Sequence, residues 1–398
     1  MRRARTGILL IFLAALFLAQ ICFVSTATAG SLEEETIPVE EPGERDLDLR
    51  FMEEAWQEIE GDVEEYFPSF HWRHIVDWIR GEEDPPEIKE LFQGLSRLFL
   101  GEVLLNLRFM GKLLVLAVAA AFLKNLQGSF ESKSVSWLTR GVVFLSMIGI
   151  ILPGFTGAID MARQTIAGMV DFILALVPLL LVLLSSLGSL SAASLFHPLL
   201  IFSVHFFSTV INNVIFPLIL FSVALSLVSH FSPELRLGKL ADFFKDLCVW
   251  GLGLLLTLFM GIVSIQGVAG TVMDAVTLRT AKFLTGTFVP VVGKMLADSV
   301  ETVASGSLLL KNGAGIAGLI VLGMSIVFPF IKLFVLMLVY KATAALVQIV
   351  GEGALGDCLN TMGNCYTLVL ASLVAVSLMF FLAVVIIVGS GNALVMLR

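Results

Sequence analysis

At 398 residues the chain is long enough for two soluble domains, but 57% of it is hydrophobic, only 15% is charged, and its mean hydropathy is +0.94. A soluble fold needs more polar surface than that, so most of the chain belongs in lipid or against lipid-facing helices. The net charge of −8 is unevenly placed: Gly30 to Leu100 carries 21 acidic against 6 basic residues, and the remainder is slightly basic. That distribution excludes a nucleic-acid-binding surface and separates a short acidic segment from a long apolar one.

The first 29 residues have the layout of a cleaved signal peptide: Arg2, Arg3 and Arg5, an apolar run from Ile8 to Val24, and Ala27-Thr28-Ala29 as the cleavage site. Residues 30–100 form the acidic segment, expected outside the cytoplasm. Ser31 to Leu49 reads as a flexible leader. Phe51, Met52, Ala55, Trp56 and Ile59 then recur at helical spacing, Trp72, Ile75, Val76 and Ile79 mark a second helix, and Glu87 to Phe99 a third. The expectation is a small helical domain that packs its own aromatic side chains.

From Val103 onward the chain is a series of apolar runs: Val103–Leu123, Gly141–Ile159, Phe172–Leu190, Leu195–Ser229 and Leu247–Ile265. Asn212-Asn213 divides the fourth, which is too long for one span, into two helices at an expected tight turn. Lys124, Lys133 and Arg140 after the first run, and Arg236, Lys239 and Lys245 after the fourth, place those loops in the cytoplasm. Phe283–Leu310, Ala314–Ile349 and Thr367–Val388 follow, for eight to ten spans in all. The fold class is all-α, a polytopic helical membrane protein with a signal peptide and a small acidic extracytoplasmic helical domain.

Pro178 and Pro217 lie 39 residues apart, as do Pro290 and Pro329, and a shift of 112 superimposes Val177-Pro178 on Val289-Pro290 and Phe216-Pro217 on Phe328-Pro329. The four prolines are candidate helix kinks. The segments are thus a signal peptide (1–29), an acidic segment (30–100), two first spans (101–164), and two copies of one membrane unit (165–270 and 271–398).

No HExxH, GxSxG, Walker A loop or Cys/His set with zinc spacing is present, so no catalytic, cofactor-binding or metal-ligating residue is nominated. Gly313-Ala314-Gly315-Ile316-Ala317-Gly318 fits GxGxxG, but small residues for close helix packing account for it; a loop accounts for Gly351 to Gly356. His197, His205 and His230 read as helix histidines bonded to carbonyls. Lys294, Asp298, Glu301 and Lys311 are the candidate lining of a polar pathway or subunit interface, because charges in apolar runs cost several kcal/mol unless paired or wetted. Lys332 and Lys341 are expected to snorkel.

Several strings carry a family resemblance: Leu174-Ala175-Leu176-Val177-Pro178, Phe196-His197-Pro198, Val263-Ser264-Ile265-Gln266-Gly267, Thr277-Leu278-Arg279-Thr280-Ala281-Lys282-Phe283 and Ser307-Leu308-Leu309-Leu310-Lys311-Asn312. They resemble stage III sporulation protein AE, a polytopic membrane protein family of endospore-forming Firmicutes. The resemblance implies a non-enzymatic subunit of a channel or secretion-like complex between mother cell and forespore. It implies as partners the other stage III A proteins and stage II protein Q. It also implies residence in the mother-cell membrane, support of late forespore gene expression, and energy from a separate ATPase. A self-contained secondary transporter built from two repeats is the alternative. Self-association is a further expectation.

Overall fold

The computed structural model describes residues 50–68, 70–80, 88–127, 133–187, 190–231, 237–288 and 292–396. All regular structure among them is helical: α1 (Arg50–Tyr66), α2 (Trp72–Arg80), α3 (Ile88–Gln127), α4 (Lys133–Ser186), α5 (Leu190–Val210), a π-helical turn (Ile211–Ile215), α6 (Phe216–Phe231), α7 (Gly238–Phe288), α8 (Val292–Ile349) and α9 (Gly353–Met396). Among the described residues six stretches are long and apolar enough to cross a membrane: Lys89–Leu123, Gly141–Ser186, Phe196–Phe231, Gly238–Gln266, Leu310–Ile349 and Gly353–Gly389. The chain is all-α with the helices of a polytopic membrane protein. The signal peptide and leader lie outside the described residues.

Among the described residues two of the breaks expected between spans are absent, and the expected Phe283–Leu310 run lies largely where side chains are outside the described residues. The run Gly141–Ile159 and the second run from Phe172 as far as Ser186 lie in one helix of 54 residues, about 80 Å at ~1.5 Å per residue. The intervening Asp160–Asp171 stretch holds no proline, and Ala162, Ile166, Met169 and Val170 continue the buried stripe from Ile151, Phe155 and Ala158 to Ile173, Leu176 and Leu180. Packing thus carries the helix through its charged residues. The expected turn at Asn212-Asn213 is the π-helical turn instead, in which the Phe216 N–H donates to the Ile211 carbonyl. Pro217 explains it. Proline has no N–H for the Asn213 carbonyl and its ring crowds that carbonyl, so the helix widens by one residue rather than reversing.

α8 and α9 form an antiparallel hairpin closed by Gly351, whose φ of +97° suits glycine. Their register is set by glycines that admit a neighbour's side chain. An added Cβ at Gly356 would stand 2.6 Å from Gln348 Cγ, at Gly363 2.8 Å from Lys341 Cγ, and at Gly315 2.3 Å from Val388 Cγ2. The same stripe seats Gly318 against Leu176 of α4, whose Cδ2 would stand 2.6 Å from a Cβ added there. The GxGxxG string is therefore a packing surface, and Gly351 to Gly356 a turn and helix start.

α9 is the centre of the bundle. Every residue from Cys365 to Phe380 is buried, and α9 touches α4, α5, α6, α7 and α8. A helix apolar on all sides has no reason to keep a lipid face. α3 is the opposite case, with Leu104, Leu105, Val115, Val118 and Phe122 all exposed.

The described part of the acidic segment packs both on itself and on the bundle. Its aromatics pack in part on one another, as Phe67 does on Phe70 and Phe70 on Trp78 at 5.3 Å. They also dock on the bundle: Phe51 meets Phe172 at 6.2 Å, and Tyr66 and Phe67 meet Phe328 at 6.3 and 6.4 Å. Trp56, Met52 and Ile75 are fully buried. Alone, 26 helical residues in α1 and α2 offer too little apolar area for an independent core, and the bundle supplies the remainder. The segment boundaries drawn at 100, 164 and 270 fall inside α3, α4 and α7.

Candidate functional site: polar groups inside the helix bundle

The positions read as a polar pathway lie on one helix. Lys294, Asp298 and Glu301 occupy the first three turns of α8, and their side chains lie outside the described residues. Lys311 is about three turns further along. It is fully buried, and its Nζ donates to the Val388 carbonyl of α9 at 2.7 Å. One turn on, Gly315 rests against the side chain of the same Val388. An ammonium inside an apolar bundle is retained only with such a partner, so Lys311 and Gly315 together fix where α9 crosses α8.

Of the candidate kinks, Pro178 and Pro329 lie inside the continuous helices α4 and α8. Pro217 follows the π-helical turn, and Pro290 falls outside the described residues. Lys332 is paired rather than only snorkelling: its Nζ stands 3.9 Å from Glu102 Oε1 of α3, with Glu102 largely buried. Lys341 lies across Gly363 of α9. His230 Nδ1 meets the Ser226 carbonyl at 2.7 Å, the carbonyl-bonded arrangement expected of a helix histidine, whereas His197 and His205 are exposed on α5. Cys248, Cys358 and Cys365 are free and buried, as core thiols.

Two polar clusters escape a reading of the sequence by runs. At the π-helical turn, Arg163 of α4 reaches Asp160 at 3.8 Å and stands over the Phe216 ring at 5.7 Å. Within the same turn, Asn212 Nδ2 donates weakly to Ser208 Oγ of α5 at 3.4 Å. The i, i+3 spacing of Asp160 and Arg163 is the signal in the sequence, and it falls between two apolar runs. Deeper in the bundle, Tyr340 and Tyr366 meet with ring centroids 4.8 Å apart, flanked by Phe109 and Phe155. Both are fully buried. Both hydroxyls come within 3.8 Å of the place a Cβ on Gly154 would occupy, and neither has a well-formed hydrogen bond. The chain has three tyrosines in all, so two meeting in the core is a specific arrangement.

Several buried hydroxyls serve their own helices. Thr343, Thr367 and Ser372 donate to carbonyls four residues back at 2.6, 3.1 and 2.9 Å, which removes their cost inside an apolar bundle. The described residues therefore present buried polar contacts that hold helices in register.

These features sit in a known sequence family. The family described as "Stage III sporulation protein AE" matches residues 70–391. Stage III sporulation protein AE of Bacillus subtilis (strain 168) is 37% identical over 348 residues, covering 87% of this chain and 86% of the relative. No solved structure matches. The match takes in α2 through nearly all of α9, including the lysine lock, the glycine register and the π-helical turn, and the chain belongs to the stage III sporulation protein AE family.

Proposed function

We propose that the chain is a non-enzymatic membrane subunit of a sporulation channel or secretion-like complex, working between mother cell and forespore and supporting late forespore gene expression. The observation that carries this reading is the family match over most of the chain. The architecture supports it: an apolar bundle whose polar groups serve helix register suits a component that is built into a larger assembly. The other stage III A proteins and stage II protein Q are its partners in this proposal, and the acidic α1–α2 segment faces the space between the membranes. Lys294, Asp298 and Glu301 then line a polar path or subunit contact at the start of α8, with Lys311 anchoring that helix to α9.

Complementation tests the proposal. The chain is expressed in Bacillus subtilis lacking its own relative, and heat-resistant spores and crosslinks to partner proteins are measured. Restored spores with captured stage III A proteins support the subunit. Gradient-driven uptake of a small solute into liposomes holding the purified chain alone overturns it in favour of a self-contained transporter. Normal sporulation from an Asp298→Ala, Glu301→Ala double variant removes that pair as functional residues.

A further inference from the structure

α1 ends in a turn that brings a histidine back over its last two helical turns. Glu60 and Glu64 are four residues apart and share a face of α1. The turn after Tyr66 is held by the Phe67 N–H bonding to the Val63 carbonyl at 2.6 Å and the Phe70 N–H to the Phe67 carbonyl at 2.9 Å. Phe67 and Phe70 are themselves buried, 3% and 5% exposed. With both ends of the turn anchored in the core, His71 is delivered to the glutamates: its Nδ1 lies 3.2 Å from Glu64 Oε1. One donor atom each from Glu60, Glu64 and His71 falls within 4.8 Å of the others, and no other such trio of His, Cys, Asp or Glu occurs among the described residues.

We propose that Glu60, Glu64 and His71 form a divalent transition-metal site of the zinc class. Three features favour a metal over an ion pair alone. One imidazole and two carboxylates are a donor set that borderline cations accept, and the ligands come from two separately anchored pieces of backbone. A histidine–glutamate pair would use a single carboxylate, yet Glu60 joins the group from one turn away. The surrounding face of α1 adds the exposed Glu53, Glu54, Glu58 and Glu65, a field that attracts cations. Glu64 and His71 are roughly half exposed, so an ion has access and their rotamers can close by the ångström that coordination at ~2.1 Å requires. Bound metal would tie α1 to the start of α2, and through Phe67 would stiffen the contact with Phe328 of α8.

The experiment uses the full chain, free of any affinity tag, in detergent micelles. Zinc chloride is titrated calorimetrically, with cobalt chloride as the spectroscopic probe. One zinc per chain is expected, with cobalt bands in the visible. His71→Ala should weaken binding at least 10-fold with helicity unchanged. Glu60→Gln is the discriminating variant: it leaves the His71–Glu64 pair intact and removes one ligand, so it too should lose at least 10-fold. Wild-type protein that takes up no zinc in the micromolar range, or stoichiometric binding that survives both substitutions, overturns the proposal and leaves His71 as the partner of Glu64 only.

Discussion

Gly315 offers the sharpest test of the α8–α9 register. A methyl added there stands 2.3 Å from Val388 Cγ2, more than an ångström inside normal contact, and Val388 sits beside the lysine anchor. Forcing the two apart costs about 1–3 kcal/mol as overpacking. Against this, Gly→Ala in a helix interior gains about 1 kcal/mol. Gly323, on the same helix, has nothing within 4 Å of the equivalent methyl, so Gly323→Ala shows the propensity gain alone. Gly315→Ala should therefore be less stable than Gly323→Ala by about 1–3 kcal/mol. Val388→Ala, which deletes the opposing methyls, should restore most of the loss in the double variant, a coupling of about 1 kcal/mol or more. The assay is unfolding of the purified protein by SDS in mixed micelles, followed by circular dichroism. Equal stability of the two alanine variants, or no recovery on shortening Val388, would refute the register.

Other outcomes follow from the same contacts. Lys311→Met replaces a buried ammonium by an apolar chain of similar length and should change stability by less than about 1 kcal/mol; a large loss in the SDS assay would show that the Val388 contact outweighs desolvation. Replacing Tyr340 and Tyr366 together by Phe removes two poorly bonded buried hydroxyls. The double variant should be at least as stable as the parent, and a fall in its SDS midpoint would reveal a partner for those groups. Trp56→Ala empties a fully buried position under α1 and should cost about 3–5 kcal/mol at that contact. Limited proteolysis should then cut between α1 and α3 well before the bundle, and an unchanged digestion pattern would contradict the docking of α1. Glu102→Gln breaks a 3.9 Å pair with a half-exposed lysine and should cost no more than about 1 kcal/mol by the same SDS titration.

Class and family were legible in the residues themselves. Composition alone demands a lipid environment, because hydrophobicity is summed over the chain and needs no knowledge of contacts. Short strings such as Thr277 to Phe283 and Ser307 to Asn312 carried the family, since local sequence is what descent preserves. The reading of Gly313 to Gly318 as a packing stripe held for a similar reason: small residues at helical spacing have one physical use in an apolar helix. Helix ends were another matter. Asp160, Arg163 and Asp171 look like a loop because charge is read as exposure, yet the buried stripe through Ala162 and Ile166 shows that one face of a helix can hold charge while another is core.

What only the tertiary structure decided was pairing across helices. Nothing near Lys311 in sequence points to Val388, 77 residues away, or joins Lys332 to Glu102, Tyr340 to Tyr366, or Phe51 to Phe172. Hydrophobic periodicity gives the direction of a helix face but not its neighbour, and in a bundle of near-identical apolar faces the choice falls to shape. Glycines that admit a side chain, a proline that widens a turn and an amine that needs an oxygen make that choice, and each acts only once the helices are side by side.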